Sequence, residues 1–257
     1  MNKMFRSTVS WENINSTETQ RNNEISKGGM RMEDNVRIPL LGEEAPEFRA
    51  ITTTGKIEFP KDYKGKWVVL FSHPADFTPV CTTEFMTFTV MAKEFDELNT
   101  ELIGLSVDSL SSHIAWLRRI QDLRWKNYKG DEIKFPVIAD ISMNVAKKYG
   151  MIHPSAANTQ AVRAVFVIDP KGIIRTILYY PASTGRNFAE IKRIIQSLQK
   201  VDAEQIATPA DWQPGDDVLY HVPITTEDAN AVMKKSEAGD CEVLDWFICF
   251  KKEKGKE

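Results

Sequence analysis

The sequence predicts an α/β protein with a mixed central sheet flanked by helices and a smaller C-terminal region, and three observations carry this. Short apolar runs of strand length, such as Trp67-Val68-Val69-Leu70-Phe71-Ser72, alternate with stretches of helical period. Two further apolar runs, Val162 to Ile168 and Ile173 to Tyr180, flank Asp169-Pro170-Lys171-Gly172, whose turn chemistry suits an antiparallel hairpin. Beyond Val201, Thr208-Pro209, Gln213-Pro214-Gly215 and Val222-Pro223 interrupt any regular pattern.

In chain order, residues 1–35 are polar and carry no sustained period, which reads as a mobile arm. Residues 36–200 form the main domain. Its first strand, Trp67 to Ser72, is apolar throughout, as expected of a strand buried on both faces. A loop with Pro74 and Pro79 follows, then a helix on which Phe85, Phe88, Ala92, Phe95 and Leu98 recur at three- and four-residue intervals. Leu102 to Val107 is a second strand, and Ser109 caps a helix whose apolar face runs through Ile114, Leu117 and Ile120. Phe135 to Ala139 is a third, short strand, and after the hairpin Phe188, Ile191, Ile195 and Leu198 mark the last helix of the domain. Residues 201–257 hold a short helix around Thr226 to Lys235 and the run Val243 to Phe250. They are too few to bury a core of their own and are expected to pack on the main domain or on a partner chain.

Composition narrows the function. A chain of 257 residues, 42% hydrophobic with a formal net charge of −3, offers no basic face for nucleic acid; the run Lys251, Lys252, Lys254, Lys256 reads as a solvated end. No apolar run approaches the ~18–20 residues of a membrane span, and the N-terminus lacks the apolar core of a secretory signal. Three cysteines, an odd number, argue for thiols kept reduced in a cytoplasm and for disulfides that are transient and chemical.

The chemistry concentrates in Ser72-His73-Pro74-Ala75-Asp76-Phe77-Thr78-Pro79-Val80-Cys81-Thr82-Thr83-Glu84-Phe85. Cys81 falls where loop becomes helix, facing unpaired backbone N–H groups and the positive end of the helix dipole, both of which favour a thiolate. A lone cysteine is otherwise a small buried hydrophobe. Thioredoxin-like exchangers carry Cys-x-x-Cys at such a junction, whereas here Thr78 occupies the first cysteine position, so exchange within the motif is impossible. A hydroxyl there suits a small oxygen substrate beside the sulfur, and Pro74 and Pro79 remove two backbone donors from the pocket.

The spacing Pro-x-x-x-Thr-x-x-Cys, met by Pro74, Thr78 and Cys81, resembles the signature of the peroxiredoxins. The longer string from Ser72 to Phe85, the extended C-terminal region and Asp245-Trp246-Phe247-Ile248-Cys249-Phe250 resemble the type-six, or one-cysteine, branch, and the likeness runs from about Pro39 to Lys252. The resemblance implies a thioredoxin-like fold with a C-terminal dimerisation extension. It also implies a thiol peroxidase that needs neither cofactor nor metal and reduces hydrogen peroxide and alkyl hydroperoxides through a sulfenic acid on Cys81. Thr78 would hydrogen-bond the peroxide, Pro74 shield the sulfenic acid and Arg163 face the thiolate. Glu84 would orient Arg163, Arg186 resembles a second arginine of that network, and His73 a pocket histidine of the branch. Each has an ordinary alternative: an edge cation for Arg163, a first-turn acid for Glu84, packing or solvation for Arg186 and His73.

In several members of the branch a cysteine after the Asp-Trp-aromatic motif resolves the sulfenic acid from another subunit, which makes Cys249 a resolving candidate. Cys241 could pair with it or accept the disulfide next. Zinc is not expected at these two, since no second close thiol or histidine pair offers ligand spacing. The family's partners are a hydroperoxide, a thiol reductant such as a thioredoxin-like protein or a small thiol, and a second copy of the chain, with dimers often assembled five at a time into decamer rings. A holdase or peroxide-sensing role on the same scaffold stays open. Lipid hydrolysis, attributed to some relatives, would need a serine elbow, and Gly104-Leu105-Ser106-Val107-Asp108 lacks the second glycine.

Overall fold

In a computed structural model, the structure describes residues 38–157, 159–237 and 242–253. The polar arm of residues 1–35, together with Cys241, Lys254 and Lys256, lies outside them. The chain forms β1 (Phe48–Thr52), β2 (Gly55–Phe59), β3 (Trp67–Ser72), α1 (Pro79–Glu97), β4 (Thr100–Ser106), α2 (Leu110–Gln121) and β5 (Val137–Ala139). The short helices α3 (Asn144–Lys148) and α4 (Pro154–Ala157) follow, then β6 (Arg163–Ile168), β7 (Ile174–Tyr180) and α5 (Phe188–Glu204). The C-terminal region adds β8 (Val218–Leu219), α6 (Thr226–Glu237), β9 (Glu242–Asp245) and β10 (Ile248–Lys251).

Seven strands form one mixed sheet in the order β2-β1-β5-β4-β3-β6-β7. β3, β4 and β5 run parallel, while β6 pairs antiparallel with both β3 and β7 and β1 antiparallel with β5 and β2. The apolar run of β3 is explained by its place in the interior of this sheet. Trp67, Val69 and Phe71 enter one core with α1, α2 and α5, and Val68 and Leu70 enter a second core that includes Val145, Tyr149 and Phe48. Period-2 alternation thus delivers side chains to two apolar compartments, and no face is left for water.

The sequence had left the hairpin β1–β2 unassigned. Its strands alternate buried and exposed positions over only five residues each, so neither carries a continuous apolar run. The helix after Ser109 forms as expected, with the Ser109 side chain accepting from the Ser112 N–H at 3.1 Å. Its buried face, however, is His113, Trp116, Leu117 and Ile120, and Ile114 is exposed. The run Val243 to Phe250 is not one strand: it turns at Trp246 and Phe247, and β9 and β10 with β8 make a separate three-stranded sheet. A third small core of Ile206, Trp212 and Val218, packed on Val201, carries this region against the end of α5. Lys251, expected to be solvated, bridges to Glu204 at 2.7 Å, and Lys252 bridges to Glu242 at 2.5 Å. Among the described residues no helix is long and apolar enough to cross a membrane.

Candidate active site

The loop between β3 and α1 delivers the sequence-predicted residues Pro74 and Thr78 to the C-terminal end of the parallel strands. Thr78 is the N-cap residue of α1 in extended conformation and Pro79 stands at its first turn, where the missing N–H costs no hydrogen bond. Cys81 lies in that first turn and is fully buried. The Thr78 hydroxyl does not cap the helix: it donates to the Ala75 carbonyl at 2.8 Å. Its oxygen therefore meets any further partner as an acceptor. Pro74 is buried beside it.

Arg163 reaches this turn from the first residue of β6. Its Nη1 donates to Cys81 Sγ at 3.3 Å and to Glu84 Oε2 at 2.7 Å, while Nε and Nη2 fork onto the Ala182 carbonyl at 3.2 and 2.9 Å. Glu84, one turn after Cys81, is shared with Arg186, whose main-chain N–H and Nε donate to Oε1 at 2.9 Å each and whose Nη2 donates to Oε2 at 2.6 Å. Arg186 Nη1 also donates to the Ser72 and Ala164 carbonyls at 3.0 and 3.1 Å, tying the network to β3 and β6. All three charged side chains are buried. Burial alone would raise the Glu84 carboxyl, but the Arg186 and Arg163 guanidinium groups outweigh it and hold the group below its ordinary value. Two guanidinium charges against one carboxylate leave the cluster with one surplus positive charge, and Arg163 is the arginine that brings it to the sulfur.

His73, the last sequence-predicted member, is fully buried and packs edge-on against Phe85 at 5.0 Å and against Trp116 at 5.1 Å. Its Nε2 meets Asp76 Oδ1 at 2.9 Å, and Asp76 also meets His113 Nδ1, at 3.0 Å from Oδ1 and 2.8 Å from Oδ2. Sequence reading missed Asp76 and His113. The available signal was a histidine on the buried period of α2, four residues before Leu117. The ligand atoms of these three groups lie within 4.8 Å of one another, and both rings meet the carboxylate directly. Ligands of one tetrahedral zinc stand about 3.3 Å from each other, whereas these contacts have hydrogen-bond lengths. Cys249 is buried in β10, in register with Val243.

The comparisons agree with this geometry. Residues 41–177 match the AhpC/TSA family, and residues 197–236 match the C-terminal domain of 1-Cys peroxiredoxin. The chain is 63% identical over 220 residues to a peroxiredoxin of Methanosarcina mazei, covering 85% of this chain and all of that one. Among solved structures it is similar to a yeast mitochondrial 1-Cys peroxiredoxin, at 41% identity and a TM-score of 0.73 over 84% of this chain and all of the other. It is also similar to a cysteine-to-serine mutant of the Peroxiredoxin 6 of Arenicola marina, at 36% identity and a TM-score of 0.72 with the same coverage.

Proposed function

Since this chain belongs to the peroxiredoxins, thiol-dependent peroxidases that reduce peroxide, we propose that Cys81 is its peroxidatic thiol and that Thr78, Pro74, Arg163, Glu84, Arg186 and His73 form the site around it. The observation that carries the reading is Arg163 Nη1, 3.3 Å from Cys81 Sγ and held there by Glu84 at 2.7 Å. The thiolate attacks one oxygen of the O–O bond; an S–O bond forms as the O–O bond breaks, and the departing alkoxide or hydroxide takes a proton to leave as alcohol or water. Cys81 is oxidised to sulfenic acid and the hydroperoxide, hydrogen peroxide or an organic one, is reduced. Arg163 stabilises the thiolate and then the charge developing on the leaving oxygen, a contribution of about 3 kcal/mol for one well-placed donor. Thr78, whose proton is committed to the Ala75 carbonyl, accepts from the peroxide O–H, and buried Pro74 shields the sulfenic acid.

A thiol must then condense with the sulfenic acid, releasing water and leaving a disulfide that a second thiol reduces. Cys249 of a partner subunit is the resolving candidate, with Cys241 as a second acceptor. The yeast relative is described as resolved through glutathione and thioredoxin systems, which supports an external small thiol or thioredoxin-like protein as reductant here. The working form is a cytoplasmic homodimer that assembles into a decamer.

The test is one equivalent of hydrogen peroxide on reduced wild type, Cys81→Ser and Cys249→Ser, followed by intact mass and a non-reducing gel. Wild type is expected to give a covalent dimer sensitive to dithiothreitol, Cys249→Ser to stop at sulfenic acid on Cys81, and Cys81→Ser to lose all turnover. Oxidation of Cys81 no faster than that of the other cysteines overturns the assignment. A holdase function would survive Cys81→Ser.

A further inference from the structure

Behind the cysteine turn, His73 and His113 both face the Asp76 carboxyl. His113 Nε2 meets the main-chain carbonyl of Ile138 in β5 at 3.1 Å, and a carbonyl oxygen only accepts, so Nε2 carries a proton. Its Nδ1 meets the Asp76 carboxyl at 2.8 and 3.0 Å. Burial alone would raise that carboxyl, but the hydrogen bonds from His113 and His73 outweigh it and hold it well below the usual carboxylate range, so Asp76 is an acceptor too. The His113 ring therefore faces an acceptor at each of its nitrogens. The Asp76 main-chain N–H is held in turn by Asp108 Oδ2 at 3.1 Å, and Asp108 also takes the Ser106 hydroxyl at 2.6 Å.

Burial disfavours the charged form of His73 despite Asp76, and the contact from Nε2 to the Asp76 carboxylate at 2.9 Å places the proton of the neutral ring on Nε2. Nδ1 is left as a bare lone pair. Among the described residues it is the one buried side-chain nitrogen or oxygen with no hydrogen-bond partner. An orphaned buried acceptor calls for a donor that arrives from outside the fold. His73 lies beside the cysteine turn: its ring packs on Phe85, one turn of α1 beyond Cys81, and it follows Ser72, whose carbonyl holds Arg186.

We propose that His113 is a positioning residue of the peroxidase: its cationic ring holds Asp76 as a carboxylate, and Asp76 pins His73 in the Nε2–H tautomer with Nδ1 open to the second O–H of an incoming hydrogen peroxide. This rests on Cys81 being the peroxidatic thiol. A neutral imidazole backed by a carboxylate is a stronger acceptor than one without, which is how an anion two contacts from the substrate acts on it.

The test is nitrogen-proton correlation spectroscopy of the histidine rings in the reduced, full-length protein at pH 7, beside peroxide kinetics. Wild type is expected to show protons on both His113 nitrogens and on His73 Nε2 alone; an unprotonated His113 nitrogen, or a proton on His73 Nδ1, overturns the proposal. Asp76→Asn is close to isosteric and keeps both contacts, its amide donating to His113 Nδ1 and its carbonyl accepting from His73 Nε2. His113 should then shed one proton, and the second-order rate constant for Cys81 oxidation should fall about tenfold, the lower end of what such an orienting partner contributes. An unchanged rate constant with His113 discharged overturns the positioning role. If Asp76→Asn does not fold, the wild-type spectrum still decides the proton count. Failure of Cys81 as the peroxidatic thiol is read separately, as wild-type turnover that survives Cys81→Ser while the histidine spectrum stands.

Discussion

Glu84 is the residue on which both arginines of the site converge, and its replacement isolates the value of its charge. Glu84→Gln leaves two buried guanidinium groups with no carboxylate between them, and breaking a buried ion pair from one side costs about 3–5 kcal/mol. Urea denaturation should show a loss of that order, with slower Cys81 oxidation; a change under ~1 kcal/mol would mean that carbonyl oxygens alone compensate the arginines. Acid sensitivity follows from the same residues. Glu84 and Asp76 have folded values below their ordinary 4.5 and 3.8, so the stability they contribute is complete above about pH 4.5 and is lost as pH falls through the lower folded values. Burial depresses His73 from 6.5, so its share is complete above about pH 6.5 and is lost on acidification below that. The melting temperature should decline from about pH 6.5 downward and more steeply below 4.5; a rise on acidification would contradict these signs. Cys81, Thr78 and Pro74 could be proposed from the sequence because they share one short segment. Asp76 stood in that segment unread, since its partner His113 is thirty-seven positions away and only the packing of α2 brings them together.

At the scale of elements, α1 places the cysteine turn by packing its aromatic face on β3. Phe88 lies 4.3 Å from Phe71 and 4.2 Å from Phe188 of α5, ring centre to ring centre, so it joins the three elements that carry the site. Phe88→Ala should cost about 3–5 kcal/mol by calorimetry or denaturant, the range for an aromatic removed from a core. A smaller effect belongs to α5, where the Asn187 side chain accepts from the Glu190 N–H at 3.2 Å directly after Arg186. Asn187→Ala should lose about 1 kcal/mol, as caps do, and a loss above 2 kcal/mol would show that Asn187 also anchors the Arg186 loop. The helical faces of α1 and α5 were readable from spacing alone because their apolar residues outnumber the exceptions. The face of α2 was misread by one residue, with Ile114 placed inward, because a histidine occupied a core position and an isoleucine an exposed one.

At the scale of the whole molecule, the C-terminal region is stapled to α5 by Glu253 with Lys200 at 2.8 Å and by Lys251 with Glu204 at 2.7 Å. It still presents Ile224, 94% exposed, with Leu244, Trp246 and Phe247 also open to solvent. Apolar surface of this kind on a region too small for its own large core is what a second copy of the chain would cover in the homodimer proposed above. Trp246→Asp should therefore shift sedimentation toward the monomer without altering the circular dichroism spectrum; unchanged association would place the interface elsewhere. The sequence by itself determined the α/β class, the central strand β3, the cysteine at a helix start and the family resemblance, because each is written in contiguous residues or in a local period. Tertiary structure alone decided how Arg163, Glu84 and Arg186 meet at Cys81, that the Thr78 hydroxyl faces Ala75, and that His113 closes on Asp76. Those contacts join residues up to 102 positions apart, and their geometry is set by which strands pair and which helix faces pack, which no local period encodes.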